Sequence, residues 1–184
     1  MPIEFAILDW LQNLHSGTMD RIMIFITTLG NAGAVWIALA AVLLVIPKTR
    51  PVGFAVALAL ILDLLTCNMM VKPLVARTRP YEINEAVQLL MAKPRDYSFP
   101  SGHSAASFAA ASALFFSGTK LWIPACILGA LIAFSRLYLY VHFPTDVLGG
   151  IVLGIAVGAL AVYIVKRFYK MGAGERLSAK GGRR

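Results

Sequence analysis

The chain has 184 residues, of which 59% are hydrophobic and only 14% charged, and its mean hydropathy is +0.74. A soluble domain of this length carries about 25% charged residues, so disorder, a coiled coil and an ordinary cytosolic fold are excluded, and the long apolar runs predict an integral membrane protein. The net charge of +8 reads first as a topology signal and an attraction to anionic lipid heads; no nucleic-acid partner is expected.

In chain order, residues 3–16 (IEFAILDWLQNLHS) are amphipathic, with Trp10 suited to an interface and His15 expected as an interfacial helix residue. Glu4 and Asp9 and the lack of a basic n-region argue against a cleaved signal peptide. Residues 18–29 are apolar but short for a crossing, and Gly30, Asn31 and Gly33 interrupt the run, so 3–30 is read as an amphipathic or re-entrant segment or part of a composite span. Five apolar blocks follow, at roughly 32–47, 52–72, 103–118, 121–139 and 146–168. Most approach the ~20 residues a membrane helix needs. Helices are the default because backbone facing lipid must satisfy its own hydrogen bonds. The fold class is therefore all-α, a polytopic membrane helix bundle of about six helices. Residues 1–168 form the membrane-embedded domain and residues 169–184 a basic, Gly-rich, solvated tail.

Two polar breaks interrupt this plan. One is residues 73–102, punctuated by Pro73, Pro80, Pro94 and Pro100; the other is the short segment Tyr140–Thr145 around Pro144. If the spans alternate, Lys48, Arg50, Lys120 and the Lys/Arg of the tail share one side, which the positive-inside rule makes cytoplasmic. Both polar breaks then fall together on the extracytoplasmic face. Gly150, Gly154 and Gly158 recur every four residues in the last span and are read as an internal helix-packing face, with a homodimer seam as the alternative. Cys67 and Cys126 have neither metal nor redox spacing.

Three polar clusters flank the breaks: Lys72 with Arg79-Pro80, Pro100-Ser101-Gly102-His103, and Ser135-Arg136 followed by His142 and Asp146. Charge at membrane depth is costly and marks function. Three cations against one carboxylate repel a divalent metal, although two histidines and an aspartate could ligate one, and they attract an anion; no cofactor is expected. Arginine forks match phosphate oxygens, Lys72 adds a point charge, and Ser101 and Gly102 precede a helix whose first N–H groups favour an oxyanion. Two imidazoles then divide the work on a phosphate ester or anhydride. Asp146 beside His142 fixes its tautomer and frees the other ring nitrogen to attack phosphorus, although Pro144 requires a turn between them. His103 is left to protonate the leaving oxygen and later to activate water.

The pattern Lys-x6-Arg-Pro, Pro-Ser-Gly-His and Ser-Arg-x5-His-x3-Asp, over residues 72–146, resembles the three-part signature of the type 2 phosphatidic acid phosphatase superfamily. The resemblance implies a helical core of the acid phosphatase/vanadium haloperoxidase kind and no metal. It also implies His142 as nucleophile, Asp146 as its support, His103 as acid, and Lys72, Arg79, Arg136, Ser101 and Gly102 as phosphate ligands. The soluble haloperoxidase branch does not fit this composition. By size and outward site the chain is similar to bacterial members that act on undecaprenyl diphosphate. Phosphatidylglycerophosphate or phosphatidate is the runner-up substrate, and an anion or lipid transporter is the reading from another class. A nucleophile–acid pair argues against transport alone.

Other residues are read more plainly. Arg77 is expected as a solvated loop charge, with help to a second phosphate as the alternative, and Lys93 and Arg95 as loop cations. Asp63 lies nine residues before Lys72, which on a regular helix puts it on the opposite face and about 13 Å deeper. Tyr97, Phe99, Tyr138, Tyr140 and Phe143 are read as an aromatic belt at the outer surface, or as contacts for a lipid chain.

Overall fold

The computed structural model describes residues 2–181, with side chains through Tyr169. The described residues form α1 (Pro2–Gln12), α2 (Gly17–Leu29), a 3-10 turn (Asn31–Gly33), α3 (Ala34–Val45), α4 (Arg50–Asp63), a π-helical stretch (Leu64–Val71), α5 (Lys72–Val75), α6 (Pro80–Ile83), α7 (Gly102–Phe116), α8 (Trp122–Tyr138) and α9 (Pro144–Gly181). The five apolar blocks correspond to α3, to α4 with the π-helical stretch, and to α7, α8 and α9. The basic segment continues α9 to Gly181; its side chains from residue 170, and residues 182–184, lie outside the described residues.

By length and hydropathy, Arg50–Ile83 and Pro144–Tyr169 are able to cross a membrane. The pair Gly17–Leu29 and Asn31–Val45, bent by 47°, makes a third if counted as one broken span. The bend has a backbone cause: Ala32 (φ 51°) and Gly33 (φ 70°) are both left-handed, which an α-helix cannot absorb. Ser16 caps α2 by accepting the N–H of Met19 at 3.3 Å.

α7 lies at the centre, and its composition explains why. Ala105, Ala109, Ala110 and Ala113 are fully buried, and such small side chains let neighbouring backbones approach closely. The α9 glycines meet this face. A Cβ at Gly150 would stand 2.5 Å from the Ser101 carbonyl oxygen, and one at Gly154 would strike the backbone of Ala105 and Ala109. The four-residue glycine repeat thus serves internal packing. Trp36 crosses from α3 to donate its indole N–H to Ser107 at 3.0 Å, satisfying a polar atom inside an otherwise apolar cluster. Outward-facing Phe25, Val42, Leu148, Val152 and Tyr163 are exposed, as a lipid-facing surface requires.

A second buried cluster corrects the aromatic-belt expectation. Tyr138, Tyr140 and Phe143 are at most 1% exposed and pack with Leu8 of α1 and Met23 of α2. The two tyrosine hydroxyls find acidic partners in the N-terminal helices: Tyr138 donates to Asp20 at 2.6 Å and Tyr140 to Asp9 at 2.7 Å. Their rings therefore gain more by filling the space under α1 than by facing lipid. Tyr97 alone of the five is largely exposed. His15 stacks on Tyr138 at 4.3 Å and pairs with Asp20, so it too is part of this cluster and not only an interfacial residue.

Candidate active site

Four chain segments bring the polar clusters together around one cavity of about 810 Å³. Lys72 begins α5. The left-handed Ala76 (φ 47°) then turns the chain so that Arg79 faces back toward it. Ser101 caps α7, accepting the N–H of Ser104 at 3.4 Å, and leaves the N–H groups of Gly102 and His103 without an intrahelical acceptor. Arg136 projects from the last turn of α8. The link from α8 to α9 passes through Tyr140, held at φ 58°, before presenting His142 and starting α9 at Pro144. Such a conformation costs energy for a non-glycine residue; the Tyr140 hydroxyl, donating to Asp9 and accepting from the Asn84 amide, helps hold it. The cavity is lined by Lys72, Arg79, Gly102, His103, Arg136 and His142, so these six of the eight sequence-predicted residues share it. Asp146 and Ser101 stand directly behind, both fully buried, joined by a 3.0 Å bond from the Ser101 N–H to the Asp146 carbonyl.

The hydrogen bonds fix the state of His142. Arg79 Nη1 lies 3.2 Å from His142 Nε2, and a guanidinium only donates, so Nε2 accepts and the ring proton resides on Nδ1. Nδ1 faces Asp146 Oδ2 at 3.5 Å, a loose contact of the kind that tightens when substrate binds. Burial pushes the imidazole well below its usual pKa, and the charges of Arg79, Arg136 and Lys72 and the neighbouring His103 push the same way. His142 is therefore neutral, with its lone pair on Nε2. Asp146 is held on every side: Oδ2 accepts from Ser98 at 2.5 Å and from the Phe143 N–H at 2.8 Å, and Oδ1 from Arg77 at 2.5 Å. Arg136 donates to Thr27 at 2.6 Å while its Nε is buried without a partner.

Several participants escaped the sequence reading. Asp96 is bonded to Lys72 and, at 2.8 Å, to Arg79, and its backbone carbonyl accepts from Arg79 Nε at 2.7 Å. Partial burial works to raise its pKa, but the bond and charge of Lys72, with those of Arg79, bring it down to about 2. Nothing in the spacing of a loop aspartate announced this. Any phosphate that enters between Lys72 and Arg79 competes with this carboxylate, so Asp96→Asn is expected to tighten inhibition by vanadate or inorganic phosphate by about fivefold. A weaker inhibition constant would mean that the carboxylate instead holds the two cations in place for phosphate.

Asn31, in the break between α2 and α3, accepts a bond from His103 Nε2 at 3.0 Å and so orients the second imidazole. Its only sequence signal was the interruption of an apolar run. Asp63 lines the same cavity as Lys72, contrary to the opposite-face expectation. The cause is the π-helical stretch between them: each residue advances less around the axis, so the nine-residue offset returns to the same side. Arg77 is not a solvated loop charge either, being 17% exposed and bonded to Asp146 and Glu4.

Comparison with known proteins agrees with this architecture. The PAP2 superfamily profile matches residues 50–170. The chain is 33% identical over 148 residues to an undecaprenyl-diphosphatase of Sulfolobus acidocaldarius, covering 80% of this chain and 71% of that one. It is 32% identical over 150 residues to the undecaprenyl-diphosphatase BcrC of Bacillus subtilis, covering 79% and 75%. The crystal structure of a transmembrane PAP2-type phosphatidylglycerolphosphate phosphatase from Bacillus subtilis superposes with a TM-score of 0.69 at 27% identity, covering 92% of this chain and 86% of that one.

Proposed function

The chain belongs to the PAP2 superfamily and is a membrane lipid phosphatase, and from that premise we propose that it hydrolyses a polyprenyl diphosphate, undecaprenyl diphosphate above all, through a phosphohistidine on His142. The observation that carries the mechanism is the neutral imidazole whose lone pair on Nε2 lies beside Arg79, with Nδ1 toward Asp146.

The terminal phosphate enters between Lys72, Arg79 and Arg136 and meets the N–H groups of Gly102 and His103. His142 Nε2 attacks the terminal phosphorus. Burial and the nearby Arg136, Lys72 and Arg79 disfavour a charged His103 before substrate binds. The negative diphosphate offsets those cations and favours the protonated form, so that as the bond to the bridging oxygen breaks His103 gives that oxygen its proton and polyprenyl phosphate leaves. Water then gives a proton to His103 and attacks the phosphohistidine, releasing inorganic phosphate and restoring His142. The Nδ1 proton of His142 stays directed at Asp146, which stabilises the positive charge the ring acquires. The cations supply electrostatic stabilisation where charge develops on the equatorial oxygens. Ser101 supports the α7 terminus from behind. This reading puts the site at the extracytoplasmic surface, on the side opposite the basic Lys48, Arg50, Lys120 and the tail.

The two undecaprenyl-diphosphatase relatives favour the polyprenyl diphosphate, and Ile37, Ala40, Leu60, Ile61 and Leu64 line the same cavity as the cations, a surface suited to a lipid chain. A phosphatidylglycerophosphate or phosphatidate substrate is the second reading, favoured by the phosphatidylglycerolphosphate phosphatase neighbour. Phosphate release from the three lipids in one detergent, with EDTA present, tests this. The polyprenyl diphosphate is expected to give the highest kcat/KM. Preference for phosphatidylglycerophosphate would overturn the substrate, and complete loss with EDTA would overturn the metal-free chemistry.

A further inference from the structure

Asp146 does not stand alone behind His142. Arg77 Nη1 donates to Asp146 Oδ1 at 2.5 Å and to Thr145 at 2.7 Å, while Nη2 donates to Glu4 Oε2 at 2.9 Å. Glu4 in turn accepts from the Thr145 hydroxyl at 2.5 Å. The guanidinium lies 4.1 Å over the ring of Phe143, which also packs edge-to-face with Phe5 of α1. The backbone carbonyl of Arg77 accepts from the Ser98 N–H at 2.8 Å, and Ser98 is itself a donor to Asp146. The network therefore starts in the first helix, crosses the chain between α5 and α6, and ends on the carboxylate that faces the imidazole. Neither Arg77 nor Glu4 lines the cavity.

We propose that Arg77 and Glu4 are positioning residues that set both the orientation of Asp146 and the share of its negative charge that reaches His142. The proposal rests on His142 being the nucleophile.

The two side chains act in opposite senses. Arg77 draws on the Asp146 charge, and Glu4 partly cancels Arg77. With Arg77 neutralised, His142 feels more of the carboxylate, its protonated form is favoured, and it loses its proton at higher pH. With Glu4 neutralised, Arg77 is stronger, the protonated ring is less favoured, and the proton is lost at lower pH. The other groups facing His142 are Arg79 and Lys72 from the α5–α6 region, His103 from α7 and Arg136 from α8, with Asp96 bridging Lys72 and Arg79. All are common to both variants, so the direction of the shift isolates the network.

The experiment is the pH dependence of kcat/KM for the full chain and for Arg77→Gln, Arg77→Lys and Glu4→Gln. Glutamine at position 4 keeps an acceptor for Arg77 and removes only the charge. The acidic limb is expected to move up by about half a pH unit or more in Arg77→Gln and down in Glu4→Gln. kcat falls about 10- to 100-fold in Arg77→Gln with little change in KM, and Arg77→Lys recovers part of the loss. Limbs that stay in place, or that move in the same direction in both variants, overturn the proposal, because a purely structural brace predicts no opposed shift. Should Arg77→Gln fail to fold, the Glu4→Gln limb decides alone: a downward shift supports the network and an unmoved limb refutes it. Failure of the His142 reading is seen separately, as normal turnover in His142→Asn.

Discussion

Replacing His142 with asparagine is expected to lower phosphate release by about 10⁴-fold or more, leaving the protein folded and its substrate affinity largely intact. The size of the loss follows from the role. His142 Nε2 is a neutral imidazole lone pair set directly beside Arg79, whereas His103 uses its Nε2 proton on Asn31, and the lysine and arginines are donors only. The fold survives because the imidazole is a liability to it. His142 is 1% exposed among Lys72, Arg79 and Arg136, and an asparagine carbonyl can still accept from Arg79. Phosphate release and equilibrium binding of the lipid substrate, measured on the same detergent-solubilised variant, check both halves. Retained turnover would end the covalent mechanism.

The second large effect is expected at Arg136, where activity and stability move in opposite directions. Arg136 is 2% exposed. Among the described residues no carboxylate lies within ion-pair distance of it, and its buried Nε makes no hydrogen bond. Its one short bond, to Thr27, returns little of the cost of burying a guanidinium. A group kept at such expense is justified by what it does when phosphate arrives. Arg136→Met fills a similar volume without the charge. Turnover should drop about 10²- to 10³-fold, the loss typical of a single donor to transition-state charge. Thermal unfolding in detergent should occur at a higher temperature, by an amount that reflects about 1 kcal/mol or more of recovered desolvation. Lower stability in Arg136→Met would mean that the guanidinium contributes to the packing between α2 and α8, and the phosphate role would lose its main argument.

How far the sequence can be read depends on the kind of contact. The cluster residues were visible because Lys72, Arg79, His103, Arg136, His142 and Asp146 are charged or titratable in a chain otherwise built for lipid, and polar groups at membrane depth need a reason. The glycine repeat of the last span was visible for a similar reason, since small residues at a helical period leave a face open. Residues joined across the fold were not. Glu4 and Arg77 are 73 positions apart, Asn31 and His103 are 72 apart, and no local pattern links them. Asp96 has an ordinary loop surrounding, and its role comes from the return of that loop over Arg79. Asp63 was misplaced because a regular helix was assumed through Leu64–Val71, and a wider turn there changes which face it shares. Tyr138, Tyr140 and Phe143 were misread because aromatic residues near a span end resemble a belt until the amphipathic α1 is seen to lie over them.

The most direct test is to trap the phosphorylated protein. Acid quenching must be avoided, because a phosphohistidine is lost in acid. The enzyme should be mixed with polyprenyl diphosphate labelled in its terminal phosphate, denatured within milliseconds in alkali, and its peptides analysed for label. The account predicts an alkali-stable, acid-labile phosphate on the peptide containing His142, absent from His142→Asn. Full-speed phosphate release with no label on that peptide, or label on a different residue, would contradict it.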